Sequence, residues 1–143
     1  MKAIVRGLTE RAARTAPDAD DRRLLGRTYT IPFEEVWQAS IRVIRRRLRG
    51  WTVVIDDDRR GRIDALHRTL FRGVETEVVI DIGLDENGQT RVDLAAASRG
   101  ERGDWGRCRR LIGRFLKGLD RELEVSPGQV LQPVHPLRVR ETA

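Results

Sequence analysis

Residues 74–98 read VETEVVIDIGLDENGQTRVDLAAAS, and they decide the fold. In the first half Val74, Thr76, Val78, Ile80 and Ile82 recur at every second position and share one face of a strand, while Glu75, Glu77 and Asp81 fall on the other. In the second half Val92, Leu94 and Ala96 alternate with Arg91 and Asp93. Between them LDENGQ carries Asn87-Gly88, a pair suited to the positive φ angles of a tight hairpin turn. Two antiparallel strands of this kind need a second layer against their apolar face and can leave the charged face to water.

Working outward, RIDALHRTLF reads as a further strand of ambiguous alternation, reached through the turn-like DDDRRG. WTVVI before it places Trp51, Val53 and Ile55 on one face. Residues 33–49 carry Phe33, Trp37, Ile41, Ile44 and Leu48 at helical spacing. Glu34 and Glu35 in the first turn and Arg45, Arg46 and Arg47 in the last complement the helix dipole, and Gly50 is a natural stop. RTYTI ahead of that helix is a short strand, with Pro32 tolerated at the first helical turn. Residues 105 to about 123 are helical, with Cys108, Leu111, Ile112, Phe115 and Leu119 on one face.

The order β-α-β-β-β-β-α predicts an α+β two-layer sandwich, a mostly antiparallel sheet with two helices packed on one face. A chain of 143 residues suits one domain of this size. Residues 25–124 form it. Residues 1–24 are a lead-in in which Ile4, Val5, Leu8 and Ala12 are spaced for one side of a short basic amphipathic helix able to touch a membrane or partner. Residues 125–143 are a proline-containing tail.

The basic side of the charge balance is almost all arginine, since Lys2 and Lys117 are the only lysines among 28 basic residues. A net charge of +6 favours anionic partners, namely nucleic acid, an anionic membrane surface or an acidic protein, although 22 acidic residues are interspersed among the basic ones. One cysteine, Cys108, excludes an intramolecular disulfide and a cysteine-based zinc site. The N-terminus lacks the apolar run of a secretory signal or membrane span, so the expected location is cytoplasmic, with peripheral membrane association as the variant.

At the junction SRGERGDWGRCRRL, residues 98–111, the chain resembles the bacterial and plastid family called domain of unknown function 1499. In that family a strand ends in a Ser-Arg pair and leads, through an Arg and an Asp-hydrophobic-Gly triplet, into a helix bearing Arg-Ile and then Phe-Leu. Ser98, Arg99, Arg102, Asp104, Trp105 and Gly106 match the turn, and Arg110, Leu111 or Ile112, Phe115 and Leu116 match the helix. Trp51, Ile63, Ala65, Thr69, Glu75 and Glu77 fit the pattern loosely upstream, so the resemblance covers roughly residues 30–123. A glycine and a serine usual in the turn are Glu101 and Gly103 here, and the usual asparagine of the first helical turn is Cys108. The family's activity is not established, so the resemblance implies a fold and no chemistry.

Two readings of the junction compete. In one, Asp104 caps the helix and Arg99 and Arg102 pair with Asp104, Glu101 or Asp93 to lock the turn. In the other, Ser98, Arg99 and Arg102 join the helix N-terminus in a small pocket for an anion or partner, with Asp104 competing for the same donors. A basic stripe, Arg107, Arg110, Arg114, Lys117 and Arg121, follows on the second helix, and Arg42, Arg45, Arg46 and Arg49 form a second group on the first. If both helices share one side of the sheet, the groups merge into one basic surface. Neither RNA-binding signatures nor helix-turn-helix spacing accompany it.

Trp37, Trp51 and Trp105 read as core or core-edge aromatics. His67 and His135 lack companions at metal-ligand spacing, Ser98 lacks a nucleophile-elbow context, and Asp56, Asp57 and Asp58 lack the glycine and distal glutamate of a calcium loop. No phosphate-binding loop is present. The sequence therefore predicts no enzyme, no cofactor and no metal. It predicts an accessory or scaffold domain that binds a protein partner, the alternative being a basic module for nucleic acid or anionic membrane and the least favoured an enzyme with an anion-binding turn.

Overall fold

The computed structural model describes residues 12–16, 24–71, 73–98, 105–126 and 128–131. They form one seven-stranded antiparallel sheet with two helices on its inner face. The elements in chain order are β1 (Ala12–Arg14), β2 (Arg27–Tyr29), α1 (Phe33–Arg42), β3 (Trp51–Asp57), β4 (Arg62–Arg68), β5 (Glu75–Leu84), β6 (Thr90–Ser98), α2 (Trp105–Glu122) and β7 (Val130–Leu131). Strands β3, β4, β5 and β6 follow one another as hairpins. The chain segment from β2 through α1 then crosses the sheet, because β2 pairs with β6 while β3 sits at the opposite edge.

The α+β sandwich with both helices on one face is as the sequence predicts, with a strand added at each end. Ala12–Arg14 and Arg27–Tyr29 share the outer edge of β6 end to end, opposite Ala95–Ala97 and Thr90–Val92 respectively. Ala13 is buried in the core, so part of the segment read as a lead-in packs as a strand, and the helix expected around Ile4, Val5 and Leu8 lies outside the described residues. From the tail, Val130 and Leu131 pair with Tyr29 and Thr28.

The β5–β6 hairpin holds the register its alternation requires, with Val78 opposite Ala96, Ile80 opposite Leu94 and Ile82 opposite Val92, all buried. Asp85 organises the turn by accepting hydrogen bonds from the backbone N–H of Asn87 and Gln89, each at 2.9 Å, and Gly88 takes φ +76°. On the outer face Val79 is buried between Asp64 and Ala95, while charge surrounds it: Arg62 bonds Asp64 at 2.8 Å and Arg91 forks onto Asp93. Arg91 also donates to the backbone oxygen of Leu25 at 2.6 Å, tying the approach to β2 onto this face.

Three local expectations fail for identifiable reasons. Ile55 does not share a face with Trp51 and Val53, because the register slips between Val53, opposite Ala65, and Ile55, opposite Asp64, leaving Val54 as the extra residue of a β-bulge. Val54 and Ile55 are both more than half exposed. The first helix does not run as an α-helix to residue 49. After Arg42 the chain widens into one π-helical turn, Val43–Arg47, closed by the Leu48 N–H on the Val43 oxygen at 3.2 Å. That turn rotates both Val43 and Ile44 into the core and leaves Arg45, Arg46 and Arg47 outside. Strand β4 stops at Arg68 rather than at Phe71, because Thr69 and Val74 close the hairpin loop on each other through the Thr69 N–H to the Val74 oxygen and the Val74 N–H to Thr69 Oγ1.

The core lies between sheet and helices. Helix α2 buries Cys108, Leu111, Ile112, Phe115, Leu116 and Leu119, and its Phe115 stacks on Trp51 with ring centroids 6.2 Å apart. Trp37 stacks on Phe33 at 5.8 Å. The helices meet closely at Gly118, where an added Cβ would lie 3.0 Å from Val43 Cγ1.

Candidate functional site

Ser98 is the last residue of β6 and ends a row on the inner face formed by Trp51, His67, Thr76 and Ser98, one residue from each of four adjacent strands. Its hydroxyl lies 3.3 Å from Thr76 Oγ1 and 3.5 Å from Cys108 Sγ. All three groups are buried. The row ties the end of the sheet to the first turns of α2 through small polar contacts, and it offers neither hydroxyl nor thiol to solvent. Arg99, Arg102 and Asp104, the other members of the expected anion pocket, lie outside the described residues, and so does His135.

His67 occupies the same row. It meets Trp51 edge-on with centroids 6.1 Å apart, and its Nδ1 is buried without a hydrogen-bond partner. Burial pushes its pKa down, and the positive charges of Arg107 and then Arg114 push it further the same way. The imidazole is therefore a neutral packing group with cationic neighbours.

The arginine groups come together only in part. Both helices lie on one face of the sheet and touch, yet at their junction Glu122 accepts from Arg42 Nε at 2.8 Å and from Arg47 Nε at 2.7 Å. These hydrogen bonds hold the Glu122 carboxyl below its ordinary range. Arg42 is thus taken up by structure rather than offered to a ligand. Arg45, Arg46 and Arg49 on the first helix and its following turn are exposed, as are Arg110, Arg114, Lys117 and Arg121 on α2, while Arg107 is half-buried. Glu34, Glu35, Gln38, Arg42, Glu122 and Leu123 line an open groove of about 300 Å³ beside the junction, where three carboxylates stand against one guanidinium.

Sequence reasoning missed two features at the surface. One is the Arg42–Glu122–Arg47 clamp, which joins groups 80 and 75 positions apart. The other is the β4–β5 hairpin tip, where Leu70 and Phe71 stand 88% and 99% exposed. Its signal was available, since two large apolar residues between Arg68 and Arg72, followed by Gly73, suit a projecting turn as well as they suit a strand.

Among the described residues no group of three or more His, Cys, Asp or Glu is placed to hold a metal ion, and no helix is long and apolar enough to cross a membrane. No family model matches the chain, and no curated protein matches it.

Proposed function

We propose that this protein is a non-enzymatic accessory or scaffold domain that works by binding a protein partner. The observation that carries the reading is β3. It ends the sheet order, with no strand beyond it among the described residues, and its bulge turns Val54 and Ile55, 59% and 56% exposed, out of the core along that edge. The burial of Ser98 and Cys108 supports binding over covalent chemistry, since a nucleophile must reach its substrate. Affinity capture from the cells that make the protein, in low and high salt, tests it. A stoichiometric partner should persist in high salt and be lost on Val54→Glu with Ile55→Glu. A partner that survives both substitutions, or none at all, defeats the reading.

A second reading is carried by the exposed arginines. Arg45, Arg46 and Arg49 are free of the Glu122 clamp and, with the α2 stripe, form a basic surface fit for nucleic acid or an anionic membrane. Its binding should weaken steeply as salt rises, which the first reading does not require.

A further inference from the structure

The β4–β5 hairpin ends in two large apolar side chains for which the fold has no use. Leu70 and Phe71 stand almost wholly in solvent. The loop that carries them is nevertheless built, its base closed by the reciprocal Thr69 and Val74 hydrogen bonds and by Arg68 on Glu75 at 2.5 Å. Immediately beside that base lies the turn that ends the first helix: the Arg68 N–H donates to the Gly50 oxygen at 3.0 Å, and a Cβ on Gly50 would come within 2.8 Å of the Arg68 oxygen. That turn carries Arg49, and the π-helical turn just before it carries Arg45 and Arg46, all exposed. An apolar tip and a cationic cluster therefore occupy the same end of the sheet.

We propose that this end docks on an anionic phospholipid bilayer, with Leu70 and Phe71 entering the boundary between headgroups and acyl chains and Arg45, Arg46 and Arg49 facing the phosphates. The inference rests on the second reading above, in which these arginines face an anionic surface, and it names that surface. A bilayer satisfies both halves of the arrangement: apolar side chains gain by leaving water, and arginines gain from the negative surface potential. A nucleic-acid backbone would answer the arginines and leave Leu70 and Phe71 in water. A protein would need a pocket shaped to a convex tip, whereas lipid closes around any shape.

Sedimentation of the full chain with phosphatidylcholine vesicles, with and without phosphatidylserine, tests the proposal, alongside a duplex RNA of random sequence. Wild type should bind the phosphatidylserine vesicles in a salt-dependent way and the neutral vesicles far less. Leu70→Ser with Phe71→Ser should weaken that binding about tenfold or more, while the unchanged exposure of the tip predicts an unchanged melting temperature. Arg45→Gln, Arg46→Gln and Arg49→Gln together should weaken it comparably. If the serine variant binds anionic vesicles as tightly as wild type, tip insertion is wrong and the arginine surface stands. If RNA is bound and vesicles are not, the bilayer is wrong and the arginine surface again stands. If neither is bound, both fall.

Discussion

Tyr29 on β2 donates its hydroxyl hydrogen to Oδ1 of Asp120 on α2 at 2.5 Å, and Arg27 Nε donates to Oδ2 of the same carboxylate at 3.2 Å. One carboxylate thus fastens the second helix to a strand 91 positions earlier. Asp120→Ala leaves the buried phenol without an acceptor and should cost about 1–3 kcal/mol, whereas Tyr29→Phe removes donor and demand together and should cost about 1 kcal/mol. Urea unfolding checks the order; equal losses, or a larger one for Tyr29→Phe, would refute this account.

The same pair sets an alkaline limit. Burial raises the Tyr29 pKa well above its ordinary 10.0, and the charge and hydrogen bond of Asp120 raise it further, against Arg27. The folded state therefore keeps a proton that the unfolded state releases, so stability is full below about pH 10 and declines as pH rises beyond it. Tyr29 is the only tyrosine. Phenolate absorbance should appear with unfolding and not before it; a native protein whose tyrosine titrates near pH 10 would sink the prediction.

His67 sets an opposite trend on the acid side. Its pKa is lowered in the folded state from the ordinary 6.5, by burial first and by Arg107 and Arg114 next. The unfolded chain binds the proton more readily, so the contribution is complete above about pH 6.5 and is lost as pH falls below it. His67→Gln should flatten the dependence of the urea midpoint on pH between about 7.5 and 5.5. An unchanged slope would show that the imidazole binds its proton equally well folded and unfolded, against this account.

Gly61 closes the β3–β4 turn at φ +68°, accepts a hydrogen bond from the Ile82 N–H on its carbonyl oxygen at 2.7 Å, and leaves no room for a side chain, since a Cβ would fall 2.0 Å from the Ile82 oxygen. Gly61→Ala should cost about 3 kcal/mol or more. Gly88, also at positive φ, faces open space, so Gly88→Ala should cost about 1 kcal/mol. Thermal melts of the two variants compare steric exclusion with backbone strain alone; similar losses would contradict the distinction.

At Gly118 packing opposes propensity. Alanine in a helix interior gains about 1 kcal/mol over glycine, but here it would press on Val43, which is fully buried and fixed in the π-helical turn. Gly118→Ala should destabilise wild type and stabilise the Val43→Ala variant. A chemical-denaturation cycle showing the same sign in both backgrounds would show that the helices do not meet as described.

What was legible in the sequence is what repeats locally. The alternation of Val78, Ile80 and Ile82 against Val92, Leu94 and Ala96, the Asn87-Gly88 turn and the apolar face of α2 each lie within a short window, and the fold follows them. The bulge was not legible, because Val53, Val54 and Ile55 are interchangeable in apolar pattern and any one could be the extra residue. Nor was β1, whose Ala-Ala-Arg has weak strand propensity and is held by the edge of β6 rather than by its own preference. The candidate site divides in the same way. Exposed arginines could be counted, but which of them Glu122 removes depends on a helix crossing that no local spacing encodes.

The two short strands laid end to end along the outer edge of β6 have a consequence for the order of assembly. The hydrogen bond from Thr15 to Asp93 spans 78 positions, and neither β1 nor β2 has its β6 partner until residues 90–98 have been made. The β3–β4 and β4–β5 hairpins close over short loops and can form first, whereas β1 and β2 must wait for the edge they cover. During that interval β5 ends the growing sheet as an uncovered edge and the first two strands stay unpaired, so a ribosome paused before residue 98 would hold the chain in its most aggregation-exposed state.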